Sequence, residues 1–473
     1  MQTIPRLMVA ALKGGAGKTL ITLGIVAALK NRGLSVATFK KGPDYIDAGW
    51  LGKAAGLKCR NLDPYLFDTD ILKNSFCDGS KTADIAIIEG NRGLFDGVNA
   101  SGEYSSAELA KVLNCAVTLV VDASKMTRTA AALVLGCKLL DPSLMIKAVI
   151  LNRVAGSRHE KTLRESIEDY CSIPVIGCVN KLSLDNFPQR HLGLLPLFEH
   201  SGANELILQT AQIVEQSVNV DKLIEIANMA DPFNCGKFSD LSHVVDDTCH
   251  TNLKIGVLRD SAFQFYYPEN LNALSSTGAK LLEITALEDK PIPELDALYI
   301  GGGFPETHAE RLATNAIFKK SLYEAVESGL PVYAECGGLM YLAHELTVDN
   351  STFPMVGVFD VATVLERTPQ GHGYMTVEVI APNPFFDIGS FFRGHEFHYS
   401  YIRSDKNSLN SYAFKVVRGH GINGTCDGIF RNNALGTYLH LHALGAPEWA
   451  PNILKKAAKY HRARMLKSNF QNC

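Results

Sequence analysis

An excess of charge of either sign is what this sequence most plainly lacks: 46 lysines and arginines stand against 49 aspartates and glutamates, a formal net charge of -3. Without a basic excess or a long basic run there is no electrostatic footprint for nucleic acid. Long apolar runs are missing too, since none approaches the roughly 18 residues that a membrane-crossing helix needs. The opening Met-Gln-Thr-Ile-Pro-Arg runs at once into a strand pattern, without the charged region, apolar region and cleavage site of a signal peptide. The 11 cysteines are odd in number and scattered, with no Cys-x-x-Cys pair, which argues against a disulfide framework and a structural zinc site. Internal repeats and low-complexity segments are absent as well. A soluble cytoplasmic enzyme is the expectation that remains.

What is present is enough apolar material for more than one core. Hydrophobic residues make up 46% of 473, a length that fits two or three domains. In the first half, short β-branched runs alternate with helical stretches: Leu7-Leu12, Ser35-Phe39, Asp84-Ile88, Ala116-Asp122, Ala148-Leu151 and Pro174-Cys178 read as strands. Continuous apolar runs such as Val117-Val121 suit a parallel sheet covered on both faces, and Leu20-Lys30 reads as a helix closed by Gly33. The fold class is α/β, an N-terminal doubly wound parallel sheet of the P-loop kind spanning 1–230. The rhythm breaks over 231–251, where Asp231-Pro232, Asn234, Gly236 and an acidic-polar stretch read as a linker. A second α/β domain over 252–473 then begins at Leu253-Leu258, with Asp296-Ile300, Pro331-Ala334, Tyr374-Ile380 and Gly436-His440 as further strands.

Lys13-Gly14-Gly15-Ala16-Gly17-Lys18-Thr19 lies between a strand and a helix. Glycines there let backbone N–H groups wrap a polyphosphate, and the helix N-terminus favours its negative charge. Lys18 is suited to the β/γ oxygens of ATP, and Thr19 to Mg²⁺. Leu12 stands where a standard Walker A loop has its first glycine, so the loop resembles the variant with an extra lysine, Lys13, of the dethiobiotin-synthetase and partitioning-ATPase superfamily. Lys40-Asp47 and Glu89-Gly97 follow the next strands and fall at the same carboxyl edge, where ligands of doubly wound folds bind. Asp44 and Glu89 are placed to complete a Mg²⁺ shell with Thr19, while Asp47 and Asp96 are candidates to hold the substrate. Asn152, ending another strand at this edge, resembles the adenine-contacting residue of that superfamily.

In the second domain, Pro331-Leu339 is an apolar strand that ends in Cys336 followed by two glycines. The arrangement resembles a nucleophile elbow, with Gly337 presenting its N–H to an oxyanion and Gly302 and Gly303 supplying a second donor. Cysteine needs a base, and Tyr438-Leu439-His440-Leu441-His442 offers two imidazoles. His440 is the candidate base; His442 reads as a packing residue, and His395, His398 and His420 are lower candidates. Triad-type glutamine amidotransferases carry a Glu two residues after the base, where this chain has His442, so the orienting carboxylate is left open.

Together these segments, with Arg190-Leu194 and Gly394-Ser400, closely resemble the cobyrinate a,c-diamide synthase family over essentially the whole chain. That family's glutaminase half typically lacks the triad Glu. The resemblance implies ATP- and Mg²⁺-dependent amidation of the a and c carboxylates of a cobyrinate-type macrocycle, through acyl phosphates, with ammonia cut from L-glutamine at Cys336. Hydrogenobyrinate and nickel-sirohydrochlorin are served by the same architecture. A rival of another class, a partitioning-type ATPase switch, shares Lys13 and the loop but leaves Cys336 and the second domain unexplained. Arg190-His191 and Phe397-Tyr399 are candidates for the macrocycle pocket, with packing the equal alternative. A homodimer is compatible with these residues.

Overall fold

The computed structural model of the chain describes residues 3–181, 189–190, 193–200, 202–232, 253–403 and 411–471. The chain divides into two compact units, Met1–Phe238 and Ser239–Cys473. Apart from Asp231 and Pro232, the expected linker lies outside the described residues.

The first unit is built on seven strands: β1 (Arg6–Ala11), β2 (Val36–Lys41), β3 (Arg60–Leu62), β4 (Ile85–Glu89), β5 (Ala116–Asp122), β6 (Ile146–Val154) and β7 (Val175–Asn180). They form one sheet in the order β3-β2-β4-β1-β5-β6-β7, every pairing parallel. Every residue of β1, β2, β4 and β5 is buried, as strands covered on both faces must be. The helix α1 (Lys18–Asn31) is apolar through most of its circumference and buries residues from Ile21 to Leu29 without a break. The carboxyl ends of β1, β2 and β4 are neighbours, so the loops after them converge on one edge. Register fixes the detail: Val9 and Lys40 both lie opposite Glu89, and Asp122 lies opposite Asn152.

The second unit departs from a plain α/β repeat. Its main sheet holds β8 (Lys254–Leu258), β9 (Lys280–Ile284), β10 (Ala297–Ile300), β11 (Val332–Glu335), β12 (Gly371–Val379), β13 (Phe391–His398), β14 (Tyr412–Arg418), β15 (Cys426–Arg431) and β16 (Ala434–Thr437). The order is β9-β8-β10-β11-β16-β15-β14-β12-β13. The first five strands are parallel, and the remainder pair antiparallel. The expected strand 436–440 is corrected: β16 ends at Thr437, and His440 beyond it makes an isolated antiparallel bridge with His395 of β13. The outer strand thus returns against the chain that leaves β16, closing the antiparallel half on itself. The last helix, Trp449–Gln471, buries Trp449, Ile453, Leu454 and Ala457 and leaves Lys455 and Lys459 exposed. Lys455 and Lys459 are a solvated face of a packed helix. Among the described residues no helix is long and apolar enough to cross a membrane.

Candidate functional site

In the first unit the loop between β1 and α1 has the backbone its sequence demands. Gly17 caps α1 at φ 85, left-handed, and a Cβ there would stand 2.1 Å from Asn152 Nδ2. Only glycine meets both conditions without displacing a neighbour. Gly14 and Gly15 are exposed with open space beside them, so an anion can reach their backbone. Asn152 is 8% exposed and acts on the loop itself: Nδ2 donates to Ala16 O at 2.8 Å, while Oδ1 accepts from Arg153 N. Lys13 reaches into solvent, 3.5 Å from Asp122 Oδ2.

Below the loop is a buried cluster of charge. Thr19 Oγ1 donates to Glu89 Oε1 at 2.8 Å and lies 3.2 Å from Asp47 Oδ2. Lys18, nearly buried, holds its ammonium 3.7 Å from Glu89 Oε1, and burial followed by the charge of Lys40 pulls its pKa below the usual lysine value. Asp47 rather than Asp44 therefore joins Thr19 and Glu89. Asp44 Oδ1 is occupied in accepting from Asp47 N, capping α2 (Tyr45–Ala55), and burial with the charge of Asp47 pushes its pKa up to about 7. Asp96 is exposed and accepts from Gly93 N at 2.8 Å, shaping its own loop.

Sequence reasoning gave Lys40 no role, and the structure puts it at the centre of this cluster. It is fully buried, with its ammonium 2.6 Å from Asp47 Oδ2, 3.0 Å from Glu89 Oε1 and 3.8 Å from Asp44 Oδ2. Burial pulls its pKa down, but the charges of Asp47, Glu89 and Asp44 outweigh that and hold it above the ordinary lysine value. Two consecutive lysines ending a strand buried along its whole length were the available signal. Glu89 Oε2 is buried with no hydrogen-bond partner, although Oε1 is shared by Thr19 and two lysines. An orphaned carboxylate oxygen beside a hydroxyl and two more carboxylates is a donor set of the hard kind that Mg²⁺ takes. Among the described residues no group of three or more His, Cys, Asp or Glu is arranged to hold a metal.

In the second unit Cys336 sits at φ 47 and ψ -98, a conformation that L-residues adopt only when the surroundings force it. The elbow is held by Cys336 N donating to Thr437 O at 2.7 Å and by Met340 N donating back to Cys336 O. Cys336 Sγ lies 3.7 Å from Phe397 O, which makes the Gly394-Ser400 segment a wall of this site. Burial pushes the thiol pKa up, with the charge of Glu306 adding to it, while the Gly337 N–H acts in the opposite direction. Gly302 and Gly303 are buried and pair antiparallel with Phe263–Phe265. A Cβ on Gly303 would stand 2.0 Å from Ala262 O, and one on Gly337 would stand 3.0 Å from Gly303 N. The Gly303 amide and the Gly337 amide thus flank the elbow, the disposition expected of paired oxyanion donors.

His440 is 2% exposed and stacks on His395, ring centroids 4.7 Å apart and planes at 18°. Its Nε2 edge faces the glycine loop: a Cβ on Gly302 would stand 2.6 Å from His440 Cε1 and 3.4 Å from Nε2. The other edge faces a carboxylate that sequence reasoning missed. Glu335 Oε2 lies 3.6 Å from His440 Nδ1, Glu335 ending β11 and His440 following the end of the neighbouring β16. His442 is packed as expected, its ring 4.4 Å from Tyr267 and its Nε2 3.5 Å from Glu269. His398 stacks on Tyr438 at 3.6 Å and lies 3.4 Å from Glu396. His395 is neutral, its pKa held well below the usual histidine value by burial and then by His440. His191 lies outside the described residues, and of Arg190 only the strand backbone is described.

Two family models match the chain, one described as the CobQ/CobB/MinD/ParA nucleotide binding domain over 7–194 and the other as the CobB/CobQ-like glutamine amidotransferase domain over 254–448. A cobyrinate a,c-diamide synthase from Archaeoglobus fulgidus is 41% identical over 96% of this chain and 98% of its own length. One from Magnetococcus marinus is 40% identical over 96% and 97%, and one from Methanosarcina barkeri 36% identical over 98% of both. Among solved structures, chloroplast FtsY from Physcomitrella patens covers 44% of this chain and 66% of its own at TM-score 0.30 and 15% identity, which carries no argument.

Proposed function

The chain belongs to the cobyrinate a,c-diamide synthase family, and from that premise we propose a specific division of labour between its two units. It is a glutamine-hydrolysing ligase that amidates a corrinoid carboxylate with ATP in cobalamin biosynthesis. The observation that carries the reading is the occurrence in one chain of a phosphate loop over buried carboxylates and a cysteine held at φ 47 between glycine amides.

In the first unit the backbone of Lys13-Gly17 cradles the ATP phosphates and Lys18 meets the β/γ oxygens. Thr19, Glu89 and Asp47 would hold Mg²⁺, which when bound would neutralise phosphate charge. Asp96, on the exposed loop after β4, is the remaining candidate to orient the macrocycle substrate. Transfer of the γ-phosphoryl group to that carboxylate gives an acyl phosphate and ADP, and ammonia then displaces phosphate to leave the amide.

In the second unit His440 Nε2 takes the Cys336 proton as sulfur attacks the glutamine amide carbon, and the carbonyl π pair moves onto oxygen between the Gly303 and Gly337 amides. The imidazolium returns its proton to the leaving nitrogen, which departs as ammonia. Water, deprotonated by His440, then cleaves the thioester to glutamate and restores the thiol.

The test is amidation followed by mass spectrometry, with ATP, Mg²⁺, glutamine and, separately, cobyrinate, hydrogenobyrinate or nickel-sirohydrochlorin. Cobyrinate gains two amides, and Cys336→Ala supports this only when an ammonium salt replaces glutamine. Hydrolysis of ATP and glutamine without amidation of any macrocycle would sink the substrate assignment.

A further inference from the structure

We propose that Glu335, the residue immediately before the nucleophile, is the positioning residue for His440 and completes the set Cys336, His440, Glu335. The inference deepens the glutaminase reading and rests on it. The place two residues after the base, where a triad carboxylate is sought, holds His442, whose side chain is packed on Tyr267 and Glu269. The carboxylate comes instead from the end of β11, one strand away from β16.

Glu335 is completely buried, which for a carboxylate costs several kcal/mol unless polar partners compensate. Two donors compensate it: Tyr299 OH donates to Oε2 at 2.9 Å and Leu441 N donates to Oε1 at 3.1 Å. Leu441 is the residue after His440, so the second bond ties the carboxylate to the backbone that carries the base. Among the ion pairs of the described residues the basic partner of Glu335 is His440, at 3.6 Å through Nδ1. A carboxylate there favours the tautomer with hydrogen on Nδ1, leaving the Nε2 lone pair toward the glycine loop. It also stabilises the imidazolium that forms when Cys336 gives up its proton. His395 stacks on the ring, and the His440 backbone N–H, donating to His395 O at 2.8 Å, pins the chain that carries it. The other titratable groups around the set are His395, His442, Tyr267 and, beside Glu335, Tyr299, Tyr333 and Tyr266, with Glu306, Asp427 and Tyr438 facing Cys336.

Glu335→Gln tests this, because its amide N–H would face Nδ1 and favour the wrong tautomer while preserving volume. The expected result is a fall in glutaminase kcat of about 10²–10⁴-fold, with the KM for glutamine changed much less. The acid limb of the pH–rate profile moves to lower pH, since the imidazolium has lost an adjacent anion. Amidation driven by an ammonium salt, measured on the same preparation, reports that the chain is folded. A Glu335→Gln protein with wild-type kcat and an unmoved acid limb, alongside an inactive Cys336→Ala, overturns the proposal. Glutamine hydrolysis that persists in Cys336→Ala instead overturns the glutaminase reading. Should Glu335→Gln fail to fold, Glu335→Asp decides: a lowered kcat with the acid limb in its wild-type place supports the role, and a wild-type kcat removes it.

Discussion

Lys40→Met removes the one positive charge that touches all three aspartate and glutamate side chains beneath the phosphate loop. Its ammonium lies 2.6, 3.0 and 3.8 Å from Asp47, Glu89 and Asp44. At an effective dielectric of about 20 those separations correspond to gross attractions of roughly 4–6 kcal/mol each, opposed by the desolvation of the lysine and by carboxylate crowding. The net effect of deleting one member of such a buried set is about 3–5 kcal/mol of lost stability. For a unit of this size that amounts to a fall in Tm of about 6–20 °C, read from the first unit's unfolding transition. The pH dependence has a definite sign. Without Lys40 the buried carboxylates have raised folded-state pKa values, as Asp44, pushed up to about 7, already does beside it. The folded variant then binds more protons than the unfolded chain, so its stability falls as pH rises. Wild-type Asp47 behaves oppositely: burial opposes ionisation, but Lys40 outweighs it and holds the pKa low, so its contribution is present above the ordinary aspartate range. The gap between variant and wild type therefore widens from pH 5 to pH 8, and Mg²⁺ narrows it by supplying charge among the same oxygens. Thermal unfolding at both pH values, with and without Mg²⁺, is the assay. A variant within about 1 °C of wild type at pH 8, or a gap that grows toward acid, refutes the reasoning.

Two further outcomes follow from local geometry. Gly17→Ala forces a Cβ into a left-handed position 2.1 Å from Asn152 Nδ2, breaking the bond to Ala16; strain plus a lost hydrogen bond total about 2–3 kcal/mol, so calorimetry shows ATP binding about 30–160-fold weaker. Because burial pushes the Cys336 thiol up, alkylation of the free protein at Cys336 by iodoacetamide keeps accelerating with pH through about pH 9; a rate that levels off by pH 7 shows a preformed thiolate instead.

The parts that were legible in the sequence are those whose chemistry is contiguous. The loop Lys13-Thr19 and the elbow at Cys336 each need glycine or a nucleophile at fixed offsets from an apolar strand, and both fall where that pattern puts them. Most strands of the parallel sheet were readable within a residue or two because their runs are buried on both faces, as Ala116–Asp122 is throughout, but β6 runs three residues past the expected Leu151 and the short β3 was missed. The antiparallel half was largely missed: β13 and β14 mix charged and apolar residues, and their pairing depends on partners tens of residues away. Lys40 and Glu335 were passed over for one reason. A charged residue at the end of a buried strand takes its meaning from what faces it, and Lys40 faces Glu89 across a register, while Glu335 faces a histidine more than a hundred positions later.

The bridge between His395 and His440 has a consequence for how the protein comes into being. The antiparallel strands from β16 round to β13 return to the chain just beyond β16, so the ring has no loose end near the histidine. The elbow draws its amide partner from Thr437, and Glu335 reaches Leu441. These contacts join residues up to about a hundred positions apart, and loop closure of that length makes them slow to form. A growing chain therefore carries the whole phosphate loop well before it carries a working nucleophile. Ammonia release is delayed until the last strand has been made and seated.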